Sequence, residues 1–171
     1  MTPSRQVGYS HGVVDADRYT SRIRAVHYSM DCDDGINTED YRRADLILVG
    51  VSRIGKTPVC LYLAMHFGLF CANYPLTVND LAGEQLPSPL QPHRARIFGL
   101  TIDPDRLHQI RQERRPGSRY AELQQCRDEV QRAESLFRQH AVPFISTTGV
   151  SIEEIGTSIL QRTGVRRELL G

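Results

Sequence analysis

From residue 45 onward, short runs of apolar residues alternate with longer stretches in which apolar residues recur every three or four positions. Asp45-Leu46-Ile47-Leu48-Val49 is aliphatic and β-branched, the pattern of a buried strand over 45–50. Residues 57–67 keep helical spacing and stop at Gly68. Strand-like runs return at 70–76, 96–102 and 142–147, the last two followed by helical patterns. This alternation predicts an α/β fold, a mainly parallel sheet with flanking helices, in which Leu46, Leu48, Ile97, Leu100 and Ile145 are buried.

Helix boundaries are marked by their caps. Asp103 precedes a proline at the first helical position, Pro104. Ser151-Ile152-Glu153-Glu154 forms a capping box ahead of Ile155, Ile159 and Leu160, with Gly164 beyond the end. Leu123, Cys126, Val130, Ala133 and Phe137 predict a long amphipathic helix over 118–140 whose other face is charged. Residues 83–93, with Pro87, Pro89 and Pro92, read as an irregular loop. Residues 1–44 differ in being polar: they form an N-terminal arm, and 45–171 the main domain. The arm carries one helix, 18–30, with Tyr19, Ile23, Val26 and Met30 on its apolar face, and then the turn Asp33-Asp34-Gly35.

Length and charge narrow the function. At 171 residues the chain suits one α/β domain, and its 21 Lys+Arg against 20 Asp+Glu leave +1, no global attraction to nucleic acid or an anionic membrane. No apolar stretch has the length of a membrane span and the N-terminus lacks a signal-peptide core, so a cytoplasmic protein is expected. Cys32, Cys60, Cys71 and Cys126 are scattered, and neither they nor the six histidines have metal-ligand spacing.

The chemistry concentrates in Gly50-Val51-Ser52-Arg53-Ile54-Gly55-Lys56-Thr57, which satisfies G-x-x-x-x-G-K-[ST] between a strand and a helix. Backbone N–H groups and the new helix's positive end favour a phosphate there, Lys56 neutralises its charge, and the Thr57 hydroxyl suits Mg²⁺. Phosphoryl transfer also needs a group that handles the acceptor's proton. Asp33 and Asp34 are candidates, since their turn shortly precedes the phosphate strand; an exposed Asp-Asp-Gly turn is the alternative. Arg111, Arg114, Arg115 and Arg119 bracket Pro116-Gly117 between two helices, like the lid of nucleotide and shikimate kinases, or else form a solvated charged face. Asp103 fits a cap or a Mg²⁺ ligand, and His66 a structural helix-end imidazole.

Asp33-Asp34-Gly35, residues 44–53, Gly55-Lys56-Thr57-Pro58, Leu61-Tyr62-Leu63-Ala64, Ala72-Asn73-Tyr74-Pro75-Leu76, residues 98–104 and Ser151-Ile152-Glu153-Glu154 together resemble the phosphoenolpyruvate synthase regulatory protein family. The similar pyruvate, phosphate dikinase regulatory proteins share this framework. The resemblance extends from about Tyr19 to about Arg167, and family members carry an additional N-terminal region. It implies a P-loop nucleotide-kinase-like fold and a bifunctional enzyme: a serine/threonine kinase with ADP as donor, and a phosphorylase that uses inorganic phosphate and releases pyrophosphate. The implied partner is phosphoenolpyruvate synthase, phosphorylated on a threonine, and a homodimer is implied as well. Carried over by residue, Gly50, Ser52, Arg53, Gly55, Lys56 and Thr57 match the family's phosphate loop, with Val51 and Ile54 inside it. Asp33 and Asp34 match its acidic turn, and Arg111 and Arg114 its basic helix. Cys32 stands where related proteins often have histidine or tyrosine, so no catalytic role falls on it. An ATP-dependent small-molecule kinase and a non-catalytic nucleotide-binding module are the competing readings.

Overall fold

The computed structural model describes residues 9–167. Four strands, β1 (Leu46–Gly50), β2 (Cys71–Pro75), β3 (Ile97–Thr101) and β4 (Phe144–Ser146), form one sheet in the order β2-β1-β3-β4. Every pairing is parallel, with Leu48 opposite Asn73 on one side and Phe98 on the other, and Leu100 opposite Ile145. The expected α/β class is therefore what forms. β1 is buried along its whole length, as a central parallel strand covered on both faces must be, which accounts for its unbroken aliphatic sequence. Each strand is somewhat shorter than its apolar run, because the flanking residues turn away to enter loops.

The helices are α1 (Tyr9–Asp31), α2 (Lys56–Phe67), α3 (Val78–Ala82), α4 (Pro104–Arg114), α5 (Leu123–Gln139) and α6 (Ile152–Thr163). α2 packs against both α1 and α6, while α5 packs against α3, α4 and β3. Asp103 caps α4 by accepting from the Asp105 N–H, and Ser151 with Glu154 closes the reciprocal capping box of α6. At the contact of β3 with α5, a Cβ on Gly99 would stand 2.7 Å from the Phe137 ring, so glycine lets the helix approach the strand. No helix among the described residues is long and apolar enough to cross a membrane.

Four expectations are corrected. Ile145 is only half-buried, because β4 is a three-residue edge strand. The helix expected over 118–140 is broken: residues Arg119–Ala121 make a 3₁₀ turn and α5 starts at Leu123. The stretch over 83–93 is not wholly irregular, since a 3₁₀ segment occupies Gln91–Arg96. In the arm, α1 is longer than expected and its face is rotated: of the expected apolar positions Tyr19, Ile23 and Met30 are exposed and Val26 packs on the core, while Ala25, Tyr28, Ser29 and Cys32 face inward. Ala25 and Ser29 are small residues four apart, which suits close contact with α2, and Tyr28 stacks on Phe70 with ring centroids 4.7 Å apart. All four cysteines are free and buried.

Candidate active site

β1 ends on Gly50, where a Cβ would stand 2.7 Å from the Leu100 carbonyl oxygen and collide with the Ile54 side chain. The chain then turns through Arg53 (φ 74°) and Gly55 (φ 99°), both left-handed, before α2 begins at Lys56. Gly55 adopts that conformation freely, whereas Arg53 pays about 1–2 kcal/mol for it, strain that the surrounding contacts must hold in place. Phosphate-loop glycines thus serve two needs: close approach to a neighbouring strand at Gly50, and a left-handed turn at Gly55.

Lys56 is buried and donates from Nζ to the Val51 carbonyl oxygen at 2.7 Å. Burial pulls its pKa down to about 8, and the nearby Asp34 charge opposes that fall. Thr57 is exposed on the first turn of α2, and its Oγ1 donates to Asp33 Oδ1 at 2.7 Å. The acidic turn and the phosphate loop, 24 residues apart, are thereby joined at one point.

The turn is fixed by a residue that the sequence reading left without a role. Asn73, buried on β2, donates from Nδ2 to the same Asp33 Oδ1 at 2.6 Å and accepts at Oδ1 from the Asp34 N–H at 3.0 Å. Asp34 sits in the left-handed region (φ 54°), a conformation that aspartate tolerates and that this amide contact holds. Its side chain is exposed and lines two adjoining cavities. One, of about 620 Å³, is bounded by Asp33, Asp34, Ser52, Arg53, Gly55, Lys56, Thr57, Pro58 and Ile110. The other, of about 250 Å³, is bounded by Asp34, Ser52, Arg53, Arg114, Arg115 and Tyr120. Loop, acidic turn and two of the lid-like arginines therefore share one continuous region at the C-terminal end of β1, where open parallel sheets bind ligands.

Arg111 occupies a different place from Arg114. It is wholly buried, with Nη1 and Nη2 gripping the Glu129 carboxylate at 2.8 and 3.0 Å. Burial alone would lower its pKa, but Glu129's hydrogen bonds and charge prevail and raise it. Asp103 is taken up by its cap, and His66 packs against Tyr62 with ring centroids 4.6 Å apart. Glu129, Tyr120 and Asn73 were not singled out from sequence; the usable signal was a polar side chain within an otherwise apolar strand or helix face.

The oxygen donors around Thr57 bear on Mg²⁺. A hydroxyl and a carboxylate, both hard ligands and already 2.7 Å apart, fit a cation that takes one or two protein oxygens and completes its shell with phosphate and water. No group of three or more histidine, cysteine or acidic side chains forms a metal cluster among the described residues. This donor set thus matches a metal that arrives with a nucleotide, and lacks the ligands of an all-protein cage.

A family model described as kinase/pyrophosphorylase matches residues 1–160. A relative from Laribacter hongkongensis is 58% identical over 161 residues, covering 94% of this chain and 59% of its own. One from Halorhodospira halophila is 54% identical over 168 residues (98% and 62%), and one from Legionella pneumophila 49% identical over 166 (97% and 61%). Each is provisionally named as a phosphoenolpyruvate synthase regulatory protein. The chain spans about three fifths of the length of these relatives. With its strand, phosphate loop and helix inside a match over nearly its whole length, the chain belongs to the kinase/pyrophosphorylase family of phosphoenolpyruvate synthase regulatory proteins.

Proposed function

We propose that this chain carries the catalytic site of a bifunctional regulator of phosphoenolpyruvate synthase. As a serine/threonine kinase it moves the β-phosphoryl group of ADP to a threonine of the synthase; as a phosphorylase it removes that group with inorganic phosphate and releases pyrophosphate. The observation that carries the reading is the 2.7 Å bond from the Thr57 hydroxyl to Asp33, which places an acidic turn against a phosphate loop with a buried lysine. The relatives' names support phosphoenolpyruvate synthase as the target.

Both reactions place a phosphoryl group in one cradle. In the forward direction a bond forms between the threonine Oγ and the β-phosphorus, the bond from that phosphorus to the bridging oxygen breaks, and AMP leaves. In the reverse direction an oxygen of inorganic phosphate bonds to the phosphorus of phosphothreonine, and the threonine Oγ departs. Lys56 and the loop N–H groups stabilise charge on the phosphoryl oxygens in either direction. Asp34, whose exposed carboxylate faces the cavity, accepts the threonine proton, and returns it in the reverse reaction. Asp33, held by Asn73 and Thr57, is the orienting carboxylate. Thr57 and Asp33 would hold Mg²⁺, which when bound neutralises phosphate charge. A second copy of the chain as dimer partner belongs to the same proposal.

Incubation with purified phosphoenolpyruvate synthase, Mg²⁺ and ADP, ATP or AMP in parallel, followed by mass spectrometry of the synthase, is the test. One phosphothreonine formed with ADP, and removed by phosphate with pyrophosphate released, is the expected result. Transfer from ATP to a small molecule instead would favour an ordinary nucleotide-kinase-like enzyme, and nucleotide binding without turnover a binding module.

A further inference from the structure

Arg111 lies beneath the phosphate loop with no open path to a ligand, yet it spends two of its hydrogen bonds on backbone carbonyls. Nη2 donates to the Ser52 oxygen at 3.2 Å and Nη1 to the Tyr120 oxygen at 3.0 Å. The Tyr120 ring lies under the guanidinium, 4.1 Å from its carbon to the ring centroid, and the Tyr120 hydroxyl meets Ser52 Oγ at 2.6 Å. Glu129 anchors the whole arrangement from α5 through its two-point grip on Arg111, and Gln125 donates to it at 3.0 Å. Ser52 is therefore held twice, through its carbonyl by Arg111 and through its hydroxyl by Tyr120.

The held carbonyl belongs to the peptide that enters Arg53, the loop's non-glycine residue in the left-handed region. In a planar trans peptide the N–H points opposite to the C=O. Fixing the Ser52 carbonyl on the buried Arg111 therefore turns the Arg53 N–H away from the interior, toward the side on which Ser52 and Arg53 line both cavities. Free loops relax out of such a conformation; this one is gripped from below.

We propose that Glu129, Arg111 and Tyr120 form a positioning clamp that aims the phosphate loop's N–H groups at the phosphoryl group and ties the loop to the joint carrying Arg114 and Arg115. Arg111 is a positioning residue, acting through Ser52 and Arg53, while Arg114 and Arg115 line the adjoining cavity. The clamp's role rests on the loop being the phosphate site proposed above. Lysine cannot replace Arg111, since one ammonium cannot span a carboxylate and two carbonyls in a fixed fork.

The test separates positioning from mere structure. Removing Arg111 alone would strand a buried carboxylate, so the pair is replaced together, Arg111→Met with Glu129→Leu, a change that buried ion pairs tolerate. Melting temperature, pyrophosphate and Mg²⁺-ADP affinity by calorimetry, and the ADP-dependent phosphorylation rate of phosphoenolpyruvate synthase are measured for both proteins. A double variant that melts close to the wild type, binds pyrophosphate and ADP about tenfold more weakly and loses a further tenfold or more in kcat is expected. Wild-type affinities and kcat in the folded double variant would overturn the clamp. If the double variant does not fold, Tyr120→Phe decides, since it removes only the hydroxyl on Ser52: a several-fold fall in pyrophosphate affinity supports the clamp, and no change overturns it. If the wild type phosphorylates no synthase, the function proposed above fails on its own, and pyrophosphate, which addresses the loop without nucleoside or target, still reads the clamp.

Discussion

Lys56 lies in a setting that makes its charge conditional. Buried and bonded to Val51, it has a pKa pulled down to about 8, so in the free enzyme the ammonium begins to lose its proton within an accessible pH range. On the proposed function, the protonated form is the one that neutralises phosphate. If the function proposed above holds, kcat/KM for ADP falls as pH rises through about 8, while the limb in kcat lies higher because bound phosphates hold the proton on. Parallel pH profiles of the two constants check this, and Lys56→Ala lowers both activities by about 10² to 10³ or more. The two aspartates divide differently. Asp33 receives Thr57 and Asn73, so Asp33→Asn disturbs an existing network and weakens Mg²⁺-ADP binding. Asp34 offers a carboxylate to the cavity, so Asp34→Asn leaves nucleotide affinity in place while the kinase rate falls by about 10² to 10⁴. Rates and affinities measured together on the two single variants separate the roles, and a full rate in Asp34→Asn removes it as the proton acceptor.

Elements show what a linear sequence carries and what it hides. The strand, loop and first helix turn around Gly50–Thr57 were legible because every determinant is local: an aliphatic run, two glycines with distinct steric jobs, and a helix start. The caps at Asp103 and Ser151 were legible for the same reason, each being satisfied within three residues. α5 was half legible. Its apolar positions predict the buried face, but Glu129 lies on that same face between Cys126, Val130 and Ala133, a charge whose presence is explained only by Arg111 on another helix 18 residues earlier. Reading Arg111 together with Arg114 as one basic surface missed this, because helical spacing puts residues three apart near each other without saying which one a neighbouring helix covers. Asn73 was hidden similarly: one polar residue in a strand, whose partner Asp33 is 40 residues away in sequence.

At the scale of the molecule, the question is whether the segment before β1 is an appendage or part of the folded unit, and α1 answers through the residues it buries. The apolar stripe that periodicity predicts on this helix faces outward at Tyr19, Ile23 and Met30 and packs on the core at Val26. The inward stripe of Ala25, Tyr28, Ser29 and Cys32 is smaller and more polar, but it fits: Tyr28 stacks on Phe70 and donates from its hydroxyl to the Asp40 carbonyl oxygen at 2.7 Å. Shape against α2 and the start of β2 outweighs the count of apolar groups. Beyond α1, the Asp33 turn that the helix delivers is bonded to Asn73 on β2, and the Cys32 carbonyl oxygen accepts from the Asn73 N–H at 3.4 Å, so docking of the arm and assembly of the site are one event. Tyr28→Ala should therefore cost about 3 to 5 kcal/mol, as buried aromatic truncations do, and lower the melting temperature by about 10 °C or more in a single transition. Met30→Ala, two residues away on the exposed stripe, should shift stability by no more than about 0.5 kcal/mol. Calorimetric melting of both variants, with pyrophosphate affinity measured well below the transition, checks the arrangement. A separate low-temperature transition in Tyr28→Ala, leaving pyrophosphate binding and the rest of the fold intact, would mean that the arm folds apart from the domain it serves.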